Sequence, residues 1–140
     1  GDVVDGGGRI LAGVRIPPDG AAGFAGMLNI LRQMPPSAPS APDPVENTVI
    51  GVVASNARLS KEDVNFVARM AHDGIARSIV PAHTAYDGDT LFALATGELP
   101  ADVSVVGAFA AEAVAMAVRS AVQHANSLAG VRSASEWLGS

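Results

Sequence analysis

The stretch Pro44-Val45-Glu46-Asn47-Thr48-Val49-Ile50-Gly51-Val52-Val53-Ala54 joins two unlike kinds of chain. Upstream, from Met34 to Glu46, Pro35, Pro36, Pro39, Pro42 and Pro44 are five of the chain's nine prolines, mixed with Ser and Ala. Proline fixes φ and removes a backbone donor, so this segment can be neither a helix nor a central strand. An exposed, partly polyproline II linker is expected over 34–46. A linker of that length inside a compact domain is uncommon unless it has a task. Downstream, Val49 to Ala54 is an apolar, β-branched run interrupted only by Gly51. Such a run suits a central strand covered on both faces.

Beyond that strand, Ser60 stands three residues before Asp63, an N-cap signature. Val64, Val67, Ala71 and Ile75, with Phe66 and Met70 beside them, predict a helix over about 61–79, closed by Pro81. Pro81 to Asp89 reads as a mostly polar loop, Thr90 to Ala95 as a second core strand, and Gly97-Glu98-Leu99-Pro100 as a turn. Asp102 can cap a long helix reaching Ser127, with Gly130 beyond its end. The first half of that helix is almost wholly apolar, so it should be largely surrounded, by a sheet and another helix. Ala134 to Leu138 can add a last helical turn.

Working back from the linker, Phe24, Met27, Leu28 and Leu31 predict a short amphipathic helix over roughly 23–33. Pro17-Pro18-Asp19-Gly20 is a turn signal. Asp2-Val3-Val4-Asp5 and Arg9-Ile10-Leu11-Ala12 look like paired strands about a Gly6-Gly7-Gly8 turn. Those glycines lack the Lys-Ser/Thr ending and the following helix of a phosphate loop. Strand, helix, strand, helix, with largely apolar strands and no internal repeat, implies an α/β sandwich with helices outside its sheets.

The 140 residues are enough for one structural domain with its own core. Apolar residues make up 49% but aromatics only 4%, so Ala, Val, Leu and Ile must build that core. A net charge of −5 without a Lys/Arg cluster argues against nucleic acid or an anionic membrane as partner. The absence of Cys excludes a disulfide framework and thiolate metal sites, and it fits a reducing, cytoplasmic location. No secretory signal is visible. Val103 to Val118 is interrupted by Glu112 and is expected to be too short for a bilayer core of roughly 30 Å. Opening on Gly1 directly in strand-like residues, the chain is expected to be part of a longer polypeptide or one processed upstream.

Thr48 is the first residue with a chemical argument. A Thr that opens a core strand is ordinarily a β-former. Here, however, it follows a linker that could be cut without unfolding the core. A cut before Thr48 would set its hydroxyl beside its own new α-amine, whose reference pKa is about 7.7–8.0. Such an amine can act as general base for the hydroxyl, the activation used by N-terminal threonine hydrolases. Asp87-Gly88-Asp89-Thr90 forms a second constellation. Aspartates at i and i+2 entering a strand share a face, and two close carboxylates titrate as a coupled pair. A solvated turn is the plainer account of the same residues. A calcium loop would need more oxygen ligands than this segment supplies. His83, with Asp87 as its nearest expected partner, and Tyr86 are candidate pocket residues, against structural roles for both. His72 and His124 fall on predicted helices and are expected to be surface or capped residues.

These residues resemble a known family. Asn47-Thr48-Val49-Ile50-Gly51-Val52-Val53-Ala54, Met70-Ala71-His72-Asp73-Gly74-Ile75-Ala76-Arg77, His83-Thr84 and Asp87-Gly88-Asp89-Thr90-Leu91-Phe92-Ala93-Leu94-Ala95-Thr96-Gly97 are similar to the DmpA-type peptidases. That family includes L-aminopeptidase/D-esterases, β-aminopeptidases and nylon-oligomer hydrolases. The resemblance runs in order along the whole chain. It implies an α-β-β-α four-layer sandwich, made as one precursor that cleaves itself into two associated subunits. By this resemblance residues 1–47 end the N-terminal subunit and 48–140 form the C-terminal catalytic subunit. The cut falls between Asn47 and Thr48, Thr48 is the nucleophile, and Asp87 and Asp89 assist it. The Asp-Gly-Asp is similar to the nylon-hydrolase branch rather than to the Ser-Gly-Glu of β-aminopeptidases. The family's other substrate-binding residues and an oxyanion-hole Asn would precede Gly1, so this stretch alone is expected to be inactive.

The expected function is therefore an autoprocessing hydrolase of small amides or short peptides, needing no cofactor or metal. Its expected partners are the N-terminal subunit of the same precursor and further copies of the processed heterodimer. Two alternatives remain open at the level of sequence. One is acyl transfer of the ornithine acetyltransferase type, separated by assay with and without an amine acceptor. The other is a non-catalytic interaction subunit that is never cut, separated by intact mass.

Overall fold

The structure, a computed structural model, describes residues 1–16, 23–35 and 48–139. The expected turn at 17–20, nearly all of the Pro-rich linker, and Asn47 lie outside the described residues. What is described is a mixed α/β arrangement with two sheets.

Strands β1 (Asp2–Val4) and β2 (Ile10–Ala12) pair antiparallel around the triglycine turn, as expected. The Asp5 carboxylate shapes that turn by accepting the Gly7 and Arg9 amides, both at 2.9 Å. Helix α1 is shorter than its apolar spacing predicts, covering only Met27–Gln33. Gly26 has φ 81°, a left-handed conformation that a helix cannot include, so Phe24 instead bridges Arg15 in extended backbone. The buried Asp2 carboxylate accepts the Val14 and Met27 amides and so fixes the start of α1 against β1.

Strand β3 (Ile50–Arg58) runs four residues past the expected Ala54. Helix α2 (Lys61–Ser78) begins where its sequence signature says. The Asp63 amide donates to Ser60 Oγ at 3.1 Å and Asp63 returns a carboxylate to the Ser60 amide at 3.2 Å. It ends before Pro81 because Ile79 and Val80 leave the helix as β4 (Ile79–Val80) and pair with β1. Strand β5 (Thr90–Pro100) lies parallel to β3. The expected turn at Gly97-Glu98-Leu99-Pro100 is instead part of this strand. Ser55 pairs with Ala95 but Ala57 with Leu99, so β5 bulges between these pairs, and Gly97 with φ 84° absorbs the extra residues.

Helix α3 (Val103–His124) is capped by Asp102, which accepts the Ser104 and Val105 amides. At 22 residues it is long and apolar enough to cross a membrane, so shortness does not exclude that role. One side of it packs on α2. Gly74 of α2 is the contact point: a methyl group there would lie 2.3 Å from the Ala111 carbonyl oxygen and 2.7 Å from Val114 Cβ. The core gathers Val67, Ala71 and Ile75 of α2, Leu91 of β5, and Ala110 and Val114 of α3. Fully burying a side chain such as Ile75 is worth about 1.5–3 kcal/mol.

Two expectations of burial need correction among the described residues. The β3–β5 pair is covered on one face only: Ile50, Val52, Phe92 and Leu94 alternate onto an open face. Helix α3 is likewise not surrounded, since Val105, Phe109 and Met116 are exposed. Val49–Ala54 and the first half of α3 are largely apolar on every side, and among the described residues only one side of each is covered.

Helix α4 (Ala134–Leu138) forms the expected last turn. Its Trp137 indole N–H donates to the Gly23 carbonyl at 3.0 Å, with the guanidinium groups of Arg15 and Arg132 about its ring at 5.1 and 5.0 Å. Arg119 of α3 donates to the carbonyls of Val4 and Arg77, both at 2.9 Å. Residues on either side of position 48 are thus bound together at several points.

Candidate active site

The parallel pairing decides which residues meet. Because Ile50 pairs with Thr90, and the Thr90 amide donates to the Val49 carbonyl at 2.8 Å, the two strands start side by side. Thr48 therefore stands next to the loop that carries Asp87, Gly88 and Asp89. A methyl group at Gly88 would lie 3.0 Å from Thr48 Oγ1. The lack of a side chain at position 88 leaves room for the exposed Thr48 hydroxyl beside the loop, where a larger residue would crowd it.

The aspartates on either side of Gly88 are held by different backbone donors. Asp87 turns back onto its own loop, accepting the Thr84 amide at 2.6 Å while its own amide donates to the Thr84 carbonyl at 3.1 Å. That accepted N–H, more than any other group, holds the Asp87 carboxyl below the usual carboxylate range, with burial opposing it. Asp89 reaches across to the neighbouring strand, where Oδ1 accepts the Val49 amide at 2.9 Å. Its side chain is only 8% exposed. One carboxylate thus shapes the loop, and the other locks the loop to the residue after Thr48.

His83 meets Asp89 rather than the expected Asp87: its Nδ1 lies 4.0 Å from Asp89 Oδ2. Its Nε2 lies 3.3 Å from the His72 carbonyl oxygen, and the two imidazole centroids are 5.3 Å apart. Tyr86 is 56% exposed at the tip of the loop, its amide bonded to Thr84 Oγ1. Asn47, the other side of the expected cleavage bond, is outside the described residues. Among the described residues no group of three or more His, Asp or Glu could hold a metal ion. A cleft of about 320 Å³ runs between β3 and α3, lined by Val53, Ser55, Val105 and Phe109, and includes none of Thr48, Asp87 or Asp89.

Two features of this site carried no usable sequence signal. The bond from Asp89 to Val49 spans forty positions, and the contact of His83 with the α2 backbone depends on where the helix runs. Neither follows from spacing within a loop.

An exposed threonine thus stands just before a parallel strand, against an Asp-Gly-Asp loop, and comparisons with known proteins bear on the family of the chain that carries it. The model of peptidase family S58 matches residues 15–135. An uncharacterized aminopeptidase of Mycobacterium leprae is 43% identical over 129 residues, 81% of this chain and 32% of that protein. One of Mycobacterium tuberculosis is 46% identical over 100 residues, 61% of this chain and 29% of that protein. A 6-aminohexanoate-oligomer endohydrolase of a Kocuria species is 43% identical over 53 residues, 38% of this chain and 15% of that protein. The chain belongs to peptidase family S58, the DmpA family. It spans about a third or less of the length of these relatives.

Proposed function

We propose that this chain carries the nucleophile of an autoprocessing amide hydrolase, with Thr48 as the attacking residue. The observation that carries this is the placing of the Thr48 hydroxyl in the space that a side chain at position 88 would crowd, between two aspartates whose carboxylates are fixed by backbone amides. In processing, Thr48 Oγ attacks the Asn47 carbonyl and the C–N bond breaks, leaving an ester on Oγ and a free Thr48 amine. Water then cleaves the ester, releasing the Asn47 carboxylate and restoring the hydroxyl. In turnover the new amine takes the hydroxyl proton as Oγ attacks a substrate amide, and the departing amine receives that proton. A second water molecule clears the acyl group. Asp87 and Asp89 orient the amine and hydroxyl and share protons with them.

The substrate class is small amides or short peptides, in keeping with the names of the relatives. The four-layer sandwich belongs to the same proposal. Its support is the open face of β3 and β5, where Ile50, Val52, Phe92 and Leu94 offer an apolar surface for a second sheet of the same protein. The exposed Val105, Phe109 and Met116 of α3 support assembly of the processed unit into an oligomer, which sedimentation at micromolar concentration would test.

The deciding experiment is N-terminal sequencing and intact mass of the protein as expressed from its gene. A fragment beginning at Thr48 is expected, and within this chain that fragment is residues 48–140. Thr48→Ala should abolish it by removing the attacking oxygen, whereas Thr48→Ser should retain part of it. Persistence of only the uncut chain after long incubation would rule the proposal out.

A further inference from the structure

We propose that His83 is a positioning residue that braces Asp89 against the backbone of α2. This rests on Thr48 acting as the nucleophile. Asp89 is nearly buried, and one of its oxygens is committed to the Val49 amide. A carboxylate held at one oxygen can still pivot about that bond. Its second oxygen faces His83 Nδ1 at 4.0 Å, and the far nitrogen of the same ring faces the His72 carbonyl at 3.3 Å. The imidazole therefore lies between two acceptors, a loop carboxylate at ion-pair distance and a helix carbonyl at hydrogen-bond distance, and braces both when each ring nitrogen carries a proton. Ala71, next to His72 on that helix, lies in the core. His83 does this from φ 56°, a backbone conformation that residues with a Cβ seldom adopt. Steadying Asp89 steadies the Val49 amide, and through it the Thr48 hydroxyl over Gly88.

The test uses the full polypeptide with His83→Gly and His83→Asn. Both residues accept positive φ, so neither change confuses loss of the ring with backbone strain. Glycine removes every side-chain contact, while asparagine restores one short polar group. Three quantities are read: the rate at which the fragment beginning at Thr48 accumulates, kcat and KM on an L-aminoacyl p-nitroanilide, and the melting temperature.

The Gly variant should process itself and turn over about 10–100-fold more slowly, since a misplacement of about 1 Å at the reacting groups can cost about 10²-fold. KM and melting temperature should stay near wild type, and the Asn variant should recover part of the rate. A Gly variant that cuts and turns over as fast as wild type would overturn the bracing role. So would a rate that falls only in step with the folded fraction. A wild-type protein that never yields the fragment would sink the nucleophile itself, and a wild type that cuts beside an unimpaired Gly variant would sink only the brace.

Discussion

Across the inner face of β3 and β5, α2 and α3 bring Val67, Ala71, Ile75 and Val114 onto Leu91 and Val53, almost without a polar atom. At the starts of the same two strands the contacts are of the opposite kind. There Asp89 takes the Val49 amide, Asp87 takes the Thr84 amide, and His83 stands between Asp89 and a helix carbonyl. The first region holds the strands by packing, which is undirected and rewards any well-fitted apolar volume. The second holds them by directed polar contacts, which fix where particular atoms point. The difference separates stability from chemistry, so changes in one region should leave the other's readout largely alone.

The strongest challenge to that separation is Asp89→Asn. Asparagine can still accept the Val49 amide, so melting should stay close to wild type, while self-cutting and hydrolysis should slow by about 10²–10⁴-fold, the usual contribution of acid-base assistance. Protein that unfolds easily yet retains full activity per folded molecule would make Asp89 a packing residue and break the contrast. On the other side, Ile75→Ala leaves a hole between α2, α3 and the sheet and should cost about 2–5 kcal/mol in denaturant melts. The folded fraction of that variant should cut itself at the wild-type rate. A slower rate would mean that the core sets the strand starts as well.

The smallest effect sharpens the polar side by pH. Asp87 has its folded pKa depressed, chiefly by the Thr84 amide, so it adds stability above its unfolded value near 3.8 and loses it as pH falls through the folded value. Wild type should therefore melt slightly above Asp87→Asn at neutral pH, and the gap should close on acidification below pH 3.8. A gap that widens in acid would show that the carboxylate is not held by Thr84. Asp5 has the same sign, for which the Arg9 amide is the main cause, but it is common to both proteins and cancels in the difference.

What could be read from sequence follows the range of the forces involved. The Ser60–Asp63 cap, the Asp102 cap and the apolar stripe of α2 are local, and each appears where its residues stand. The adjacency of Thr48 to Asp87-Gly88-Asp89 followed from a resemblance rather than from spacing. Among the described residues Val49–Ala54 and α3 are covered on one side only, since a continuous apolar run reports that two faces seek cover and not which elements provide it. Gly97 predicts a turn from sequence, yet a positive-φ glycine serves a bulge as readily as a turn. Which of the two arises depends on the register with β3, a partner forty residues away. Sequence points His83 to nearby Asp87 for the same reason: the loop's path past α2 is a tertiary fact.

The stitching across position 48 has a consequence in time rather than in energy. Asp2 and Val3 pair with Val80 and Ile79, Arg119 holds the Val4 carbonyl, and Trp137 holds that of Gly23. While the chain is continuous, these contacts re-form in a unimolecular search that does not depend on how dilute the protein is. A cut before Thr48 would leave them in place but turn that search into an encounter between separate molecules, whose yield falls on dilution. Folding would then have to come first and scission second, and a molecule that unfolded afterwards would have little chance of finding its own other half. The seam would act as a ratchet, set once by the intact precursor and not readily reset.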